Sequence, residues 1–151
     1  MSELPPLDVR LPADGVSVRR TVTEADVLAF AELSGDRNRV HTDAAYMAGT
    51  RFGGRLVHGA FLLALVSTAS TRLIEETGGF AVAYGHDRVR YLAPTFLDDT
   101  VTVHYRPAQV DAASGKVTSE VEVHNQHGDL VTVGTHTVWF LPENPDERTS
   151  P

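Results

Sequence analysis

Residues 59 to 79, "GAFLLALVSTASTRLIEETGG", constrain the fold of this chain more than any other stretch. Length and the closing glycines predict a helix. Its first half is apolar nearly all round, so it cannot lie on a wet surface with a single dry stripe and must be enclosed. The enclosing material follows it: "DRVRYLAP", "DTVTVHYRP", "GKVTSEVEVHNQ" and "DLVTVGTHTVWFLP" alternate apolar and polar residues at the strand period. The links "TFLD", "AQVDAAS" and "HG" are short and turn-like, so sequential strands are expected to pair antiparallel. The fold class is α+β, an antiparallel β-sheet wrapped around a long central α-helix. A length of 151 residues with 42% apolar content supplies one core, so residues 1–151 are read as a single domain.

Upstream, residues 1–15 carry three prolines and a glycine and read as an extended N-terminal arm, followed by a strand in "VSVRRTVT". Thr23 caps a helix in "EADVLAFAELSG", with Val27, Leu28, Phe30 and Ala31 on its apolar stripe and Gly35 as its stop. "DAAYMAG" makes about two helical turns, and "TRFGGRLVHG" is a glycine-punctuated loop. Residues 142–151 read as a flexible tail.

Thirteen Lys and Arg against twenty Asp and Glu give a formal charge of −7, which repels nucleic acid and anionic lipid. Without cysteine the chain has no disulfide, thiolate metal site or cysteine nucleophile. The start "MSELPPLDVRLPADG" lacks the positive flank and apolar run of a secretory signal, and "AFLLALV" falls far short of the roughly 20 residues that span a bilayer. A cytoplasmic protein is expected, with no nucleic-acid or membrane partner.

Between the two predicted helices lies "ELSGDRNRVHTD", residues 32 to 43. Asp36 and His41 would sit about 140° apart on a continuous helix, so they can cooperate only if the chain turns between them, as Gly35 and Asn38 permit. Together a carboxylate and an imidazole can hold one water and exchange protons with it. The alternative is an Asx-type turn with His41 as an exposed loop histidine. Some twenty positions on, Gly59 opens the enclosed helix, whose first amides are unpaired and partly positive, suited to an oxyanion, while a glycine lets a ligand carbonyl approach the backbone. Close packing of helix on sheet explains the same glycine.

"FAELSGDRNRVHTD" followed by "FGGRLVHGAFLLALVS" resembles the signature of the MaoC-like, or (R)-specific enoyl-CoA hydratase, family: an aromatic, Ser-Gly-Asp-x-Asn-Pro-aliphatic-His, a phenylalanine-glycine pair, and an aliphatic-His-Gly helix start. "RVRYLAPTFLDDTVTV" is similar to that family's later strand and turn, and the resemblance covers about residues 20 to 141. It implies a hot-dog fold and hydration of trans-2-enoyl-thioesters to (R)-3-hydroxyacyl-thioesters, or the reverse. Carried over by position, Asp36 and His41 are the catalytic pair, Asn38 orients them, Gly59 offers its amide to the thioester carbonyl, and Ser67 hydrogen-bonds near the catalytic water. No cofactor is implied, the substrate being carried as a CoA or phosphopantetheine thioester. A homodimer is expected, because one short sheet leaves an edge and an apolar face that this family typically closes by pairing; an acyl carrier protein is a possible partner, since it presents the same phosphopantetheine arm as CoA.

Three positions depart from the family pattern. Arg39 replaces proline, removing a restraint on the turn; its cation can pair with a carboxylate, touch a substrate acid group or, as expected, point into water. Ala60 replaces a bulkier residue and Asp98 a glycine. Arg51, Arg55, Arg88 and Arg90 are the cations available to the CoA phosphates, and His58 is counted with Arg55, Arg88 and Arg90 among the substrate-binding residues, expected to be buried and held by a backbone hydrogen bond. His41, Asp43 and His58 suit a metal by type, but no helical His-x-x-x-His pair anchors them, and no metal is expected. A thioesterase would place a carboxylate on the enclosed helix, which begins "HGAFLLALVS" and offers none. The remaining alternative is a non-catalytic hot-dog partner that binds acyl-thioesters.

Overall fold

A computed structural model describes residues 9–142; the rest of the expected arm (1–8) and tail (143–151) lies outside the described residues. The chain runs β1 (Val16–Thr21), α1 (Glu24–Ser34), α2 (Arg39–Thr42), α3 (Ala44–Ala48), α4 (Gly59–Thr77), β2 (Phe80–Tyr91), β3 (Thr100–Asp111), β4 (Lys116–His124) and β5 (Leu130–Leu141). The five strands form one antiparallel sheet in the order β1-β3-β4-β5-β2.

The predicted helix at 59–79 is α4, and it ends where Gly78 takes a left-handed φ of 67°. Leu62, Leu65, Val66, Ala69 and Leu73 are buried against Val101, Val103 and Tyr105 of β3, Val121 and Val123 of β4 and Val131 of β5. Each such leucine contributes about 1.5–3 kcal/mol by leaving water. Enclosure is incomplete, since Ala60 and Ala64 remain exposed.

Sequential pairing fails at one link. β2 pairs with β5, Phe80 facing Leu141 and Tyr91 facing Thr132, while β3 lies between β1 and β4. The connection from β2 to β3 is captured by other parts of the chain before it can close a hairpin. Val57 N–H donates to Thr95 O (2.8 Å), Val22 N–H to Asp99 O (2.9 Å) and Asp98 N–H to Val22 O (2.7 Å). β2 also begins seven residues earlier than "DRVRYLAP" implies, at Phe80, and "AQVD" belongs to β3, which passes Pro107 through a bulge.

α1 opens with a capping box: Asp26 N–H donates to Thr23 Oγ1 and Thr23 N–H to Asp26 Oδ2. Its buried positions are Val27 and Ala31, with Phe30 half-buried; Leu28, expected on this stripe, is 44% exposed. Val9 and Leu11 of the arm pack against the core, so the described part of the arm does more than run over the surface.

A buried polar cluster joins β2, β3 and β5. His136 on β5 is 1% exposed, its Nδ1 is 3.0 Å from the Tyr105 hydroxyl, and its ring stacks on His86 of β2 at 4.2 Å. Burial, with a smaller push from His86, lowers the His136 pKa to about 4. Burial raises the Tyr105 phenol to about 12.

Candidate active site

The chain turns between Asp36 and His41 as a sequence of side-chain-capped steps. Gly35 closes α1 in the left-handed region at φ 78°, a conformation that favours glycine. Asp36 Oδ1 then accepts from Asn38 N–H (3.2 Å), and Asn38 Oδ1 accepts from Val40 N–H (3.2 Å) to cap α2. The Asx turn and the approach of Asp36 to His41 are one arrangement: the turn brings Asp36 Oδ2 within 3.9 Å of His41 Nε2. Asn38 touches both halves of this turn, its N–H bonded to the Asp36 carboxylate and its side chain to the start of the helix that carries His41.

His41 is held by backbone. Its Nδ1 lies 2.7 Å from Leu56 O, and a carbonyl only accepts, so Nδ1 carries the proton and Nε2 keeps its lone pair. Leu56 N–H donates in turn to Val40 O (2.9 Å), which straps the two segments together. Desolvation is the largest influence on His41 and lowers its pKa; the Leu56 bond opposes this, His58 lowers it further and Asp36 raises it. A neutral imidazole beside a carboxylate results. At 3.9 Å the two do not hydrogen-bond directly, but one water at the apex of a triangle reaches both at about 2.8 Å. The Asp36 side chain is 54% exposed and that of His41 13%, so such a water has access from solvent.

His58 is enclosed. It is 2% exposed, its Nε2–H donates to the main-chain carbonyl of Asp36 (3.0 Å), and its ring stacks on His41 at 3.7 Å with Phe30 against its other surroundings at 5.0 Å. The expected burial and backbone bond are present, and the enclosed ring has little surface left to offer a ligand. Ligand-capable atoms of Asp36, His41 and His58 lie within 4.8 Å of one another. Asp43 is not among them: it caps α3 and pairs with Arg39. The Asp36 carbonyl takes up His58 Nε2–H, which leaves the lone pair on Nδ1, buried and without a hydrogen-bond partner among the described residues.

Gly59 is the first residue of α4, and no side chain caps this helix start. A Cβ at Gly59 would lie 2.5 Å from Tyr91 Cζ, so the ring of Tyr91 occupies the space that glycine leaves. Beside it opens a cleft of about 320 Å³ lined by Phe52, Leu56, Val57, Leu62, Leu92 and Ala93, among others, with Arg51 also contributing to its wall. Ser67 lies on the exposed side of α4, about 12 Å along the axis from Gly59, and no hydrogen bond joins it to the pair among the described residues.

The arginines separate. Arg51 reaches the cleft; Arg55 is engaged in an ion pair with Glu24. Arg90 precedes Tyr91 in β2, so strand alternation turns it to the face opposite Gly59, where it donates to Val89 O (2.8 Å). Arg88 sits exposed in the bulge between Asp87 and Arg90 at φ 52°. Neither Arg88 nor Arg90 lines the cleft.

Arg39 does not simply point into water. Its Nε and Nη2 both reach Asp43 Oδ2 (3.1 and 2.9 Å) and its guanidinium lies 4.0 Å over the Tyr46 ring. It occupies the first position of α2, after Asn38 at φ −55° and ψ 136°, which is the backbone that a following proline requires. Arg39→Pro is therefore expected to change stability by no more than about 0.5–1 kcal/mol, the lost surface pair offsetting the gained restraint. Urea unfolding of the two proteins checks this; a loss of several kcal/mol would show that the Asp43 clamp holds the turn.

Of the residues that shape this site, Tyr91 and the Leu56 carbonyl escaped the sequence reading. A backbone acceptor leaves no trace in residue type, and the sole hint of Tyr91 was a glycine at 59 with nothing to say what filled its space.

Known proteins resemble this chain in sequence and in fold. The MaoC like domain family matches residues 14–129. The (R)-specific enoyl-CoA hydratase of Aeromonas caviae is 31% identical over 114 residues, spanning 76% of this chain and 83% of that protein. Protein MaoC of Klebsiella aerogenes is 39% identical over 95 residues and the 3-hydroxybutyryl-CoA dehydratase of Methylorubrum extorquens 32% over 94, but the matches span only 27% and 57% of their lengths, against 61% and 62% of this chain. Among solved structures, the A. caviae (R)-hydratase involved in PHA biosynthesis superposes with a TM-score of 0.79 at 27% identity, covering 89% of this chain and 98% of that one. That likeness identifies the sheet around α4 as a hot-dog fold. With the signature from Asp36 to Gly59 inside the matched span, this chain belongs to the MaoC-like domain family.

Proposed function

We propose that this chain adds water to a trans-2-enoyl-thioester, giving the (R)-3-hydroxyacyl-thioester, or catalyses the reverse dehydration. The observation that supports it best is the His41 imidazole, fixed by the Leu56 carbonyl in the tautomer that leaves Nε2 free, 3.9 Å from a carboxylate. Asp36 and His41 accept the proton of a shared water as its oxygen bonds to C3. The electron pair of the C2–C3 double bond moves toward the carbonyl oxygen, where the Gly59 amide at the uncapped start of α4 meets the developing charge. The proton held by the pair then passes to C2, which restores the carbonyl and leaves the site unchanged. CoA and carrier-bound thioesters present the same arm to this chemistry.

Hydration of crotonyl-CoA, followed by loss of the conjugated-thioester absorbance and by chiral resolution of the product, tests the reading. Formation of (R)-3-hydroxybutyryl-CoA supports it; absence of turnover on enoyl-CoAs of every chain length would remove it. Arg39, the departure from the family pattern within the turn, gives no support to a non-catalytic subunit, since it pairs with Asp43 and lies over Tyr46 while the turn is intact.

The active assembly in this reading is a homodimer joined along β2. That strand is an edge of the sheet and exposes Phe80, Val82 and Tyr84, with Leu92 just beyond it. A long apolar edge of this kind needs a cover. Sedimentation equilibrium is expected to give twice the chain mass, and Val82→Lys to shift it toward the monomer; a wild-type monomer at micromolar concentration would overturn the assignment.

A further inference from the structure

Tyr91 is the large side chain nearest the amide assigned to the thioester carbonyl, and nothing in the chemistry above requires an aromatic there. Its ring covers Gly59 so closely that a Cβ on that residue would fall 2.5–2.8 Å from three of its atoms. The residue is nevertheless 51% exposed, so it stands as a flap between solvent and the cleft and is not a core aromatic. The cleft's other walls are mostly apolar, from Phe52, Leu56, Val57, Leu62, Leu92 and Ala93; the polar side chains on it are Arg51, Thr95 and Tyr91 itself. A pantetheine arm, with two amides to satisfy, is poorly served by such walls, whereas an alkyl chain is well served. At about 320 Å³ the space is at the small end for a ligand site.

The cleft and the catalytic pair are two sides of one backbone segment. Leu56 gives its carbonyl to His41 and its side chain to the cleft, and Gly59 follows three residues on. An acyl group whose carbonyl rests on the Gly59 amide therefore has the cleft beside it.

We propose that Tyr91 is the specificity-determining residue of this site: its ring, packed on Gly59, closes the cleft to all but short acyl chains, and its removal admits longer ones. This rests on the enoyl-thioester reading, and binding measured apart from turnover keeps the two separable. Calorimetric affinities for saturated butyryl-CoA and octanoyl-CoA are compared in the wild type, Tyr91→Phe and Tyr91→Val, with crotonyl-CoA turnover followed in parallel.

Wild type and Tyr91→Phe are expected to favour butyryl-CoA by similar ratios, because the phenol oxygen is not what fills the space. Tyr91→Val is expected to shift the ratio toward octanoyl-CoA by about tenfold or more, as a hydrophobic site gains for each added methylene it accepts. Tyr91→Trp, which enlarges the flap, is expected to shift it the other way and stands as the readout if the valine variant does not fold. An unchanged ratio in the folded variants overturns the proposal, as does failure of the wild type to bind either ligand. A shifted ratio with no crotonyl-CoA turnover by any variant would keep Tyr91 in this role and remove the hydratase reading.

Discussion

Asp36→Asn lowers kcat for crotonyl-CoA hydration by about 10²–10⁴-fold while leaving the fold in place, the range that a positioned general acid–base group supplies. The substitution is a narrow one. Asparagine keeps an oxygen to accept from Asn38 N–H, so the turn survives and the charge facing His41 is what disappears. Nor is a core disturbed, since more than half of the Asp36 side chain is exposed. His41→Ala is expected to cost as much in rate, plus about 1 kcal/mol of stability for the lost bond to Leu56. The double variant should be little worse than either single one, because both groups act on one water. The pH profile offers a separate check: the His41 pKa is lowered, so the acid limb of kcat/KM should fall below the ordinary histidine range. Retention of wild-type rate by folded Asp36→Asn would sink the paired mechanism.

The second large effect concerns stability in mild acid. In the folded protein His136 holds its proton only below about pH 4, while in the unfolded chain it does so below about 6.5. Between those values the unfolded state binds more protons, so stability rises with pH and is lost as pH falls through the window. From pH 7 to pH 5 the loss from His136 is about 2 kcal/mol. His41 and His86, both lowered mainly by burial, add to it with the same sign. The carboxylates with lowered values, Asp26, Asp43 and Asp111, act only below the ordinary range near pH 4 and leave this window alone. Urea midpoints at pH 7 and pH 5 check the expectation, with His136→Gln, which can still bond the Tyr105 hydroxyl, as the control. A slope as steep in His136→Gln as in the wild type would place the acid sensitivity elsewhere.

The elements that follow from alternating or helical patterns were legible in the sequence; the partners they choose were less so. α4 was readable because a helix apolar around most of its girth has few homes. The capped turn through Asp36 and Asn38 was readable because Asx chemistry is local. The first half of β2, "FAVAYGH", escaped because as a sheet edge it is exposed on nearly every residue and has no dry face to impose alternation. The hairpin expected between β2 and β3 failed because Val22 and Val57, distant in sequence, claim the backbone of the link. His58 shows the same limit within the site. Its burial and its backbone bond were expected, but which carbonyl takes that bond, that of Asp36 far back in the chain, leaves no mark in residue type.

The sheet order also dictates when the molecule can be finished. β2 leaves the ribosome before β3, β4 and β5, yet among the described residues its neighbour in the sheet is β5, where Phe80 meets Leu141. Until that last strand arrives, the strand carrying Tyr91 has no ladder to join, and the contact over Gly59 has no fixed wall behind it. Closing so long a loop late in synthesis costs chain entropy that local turns do not. The cleft is therefore among the last features to form, and a nascent chain lacking β5 holds Asp36 and His41 on their capped turn without the surface against which an acyl chain would lie.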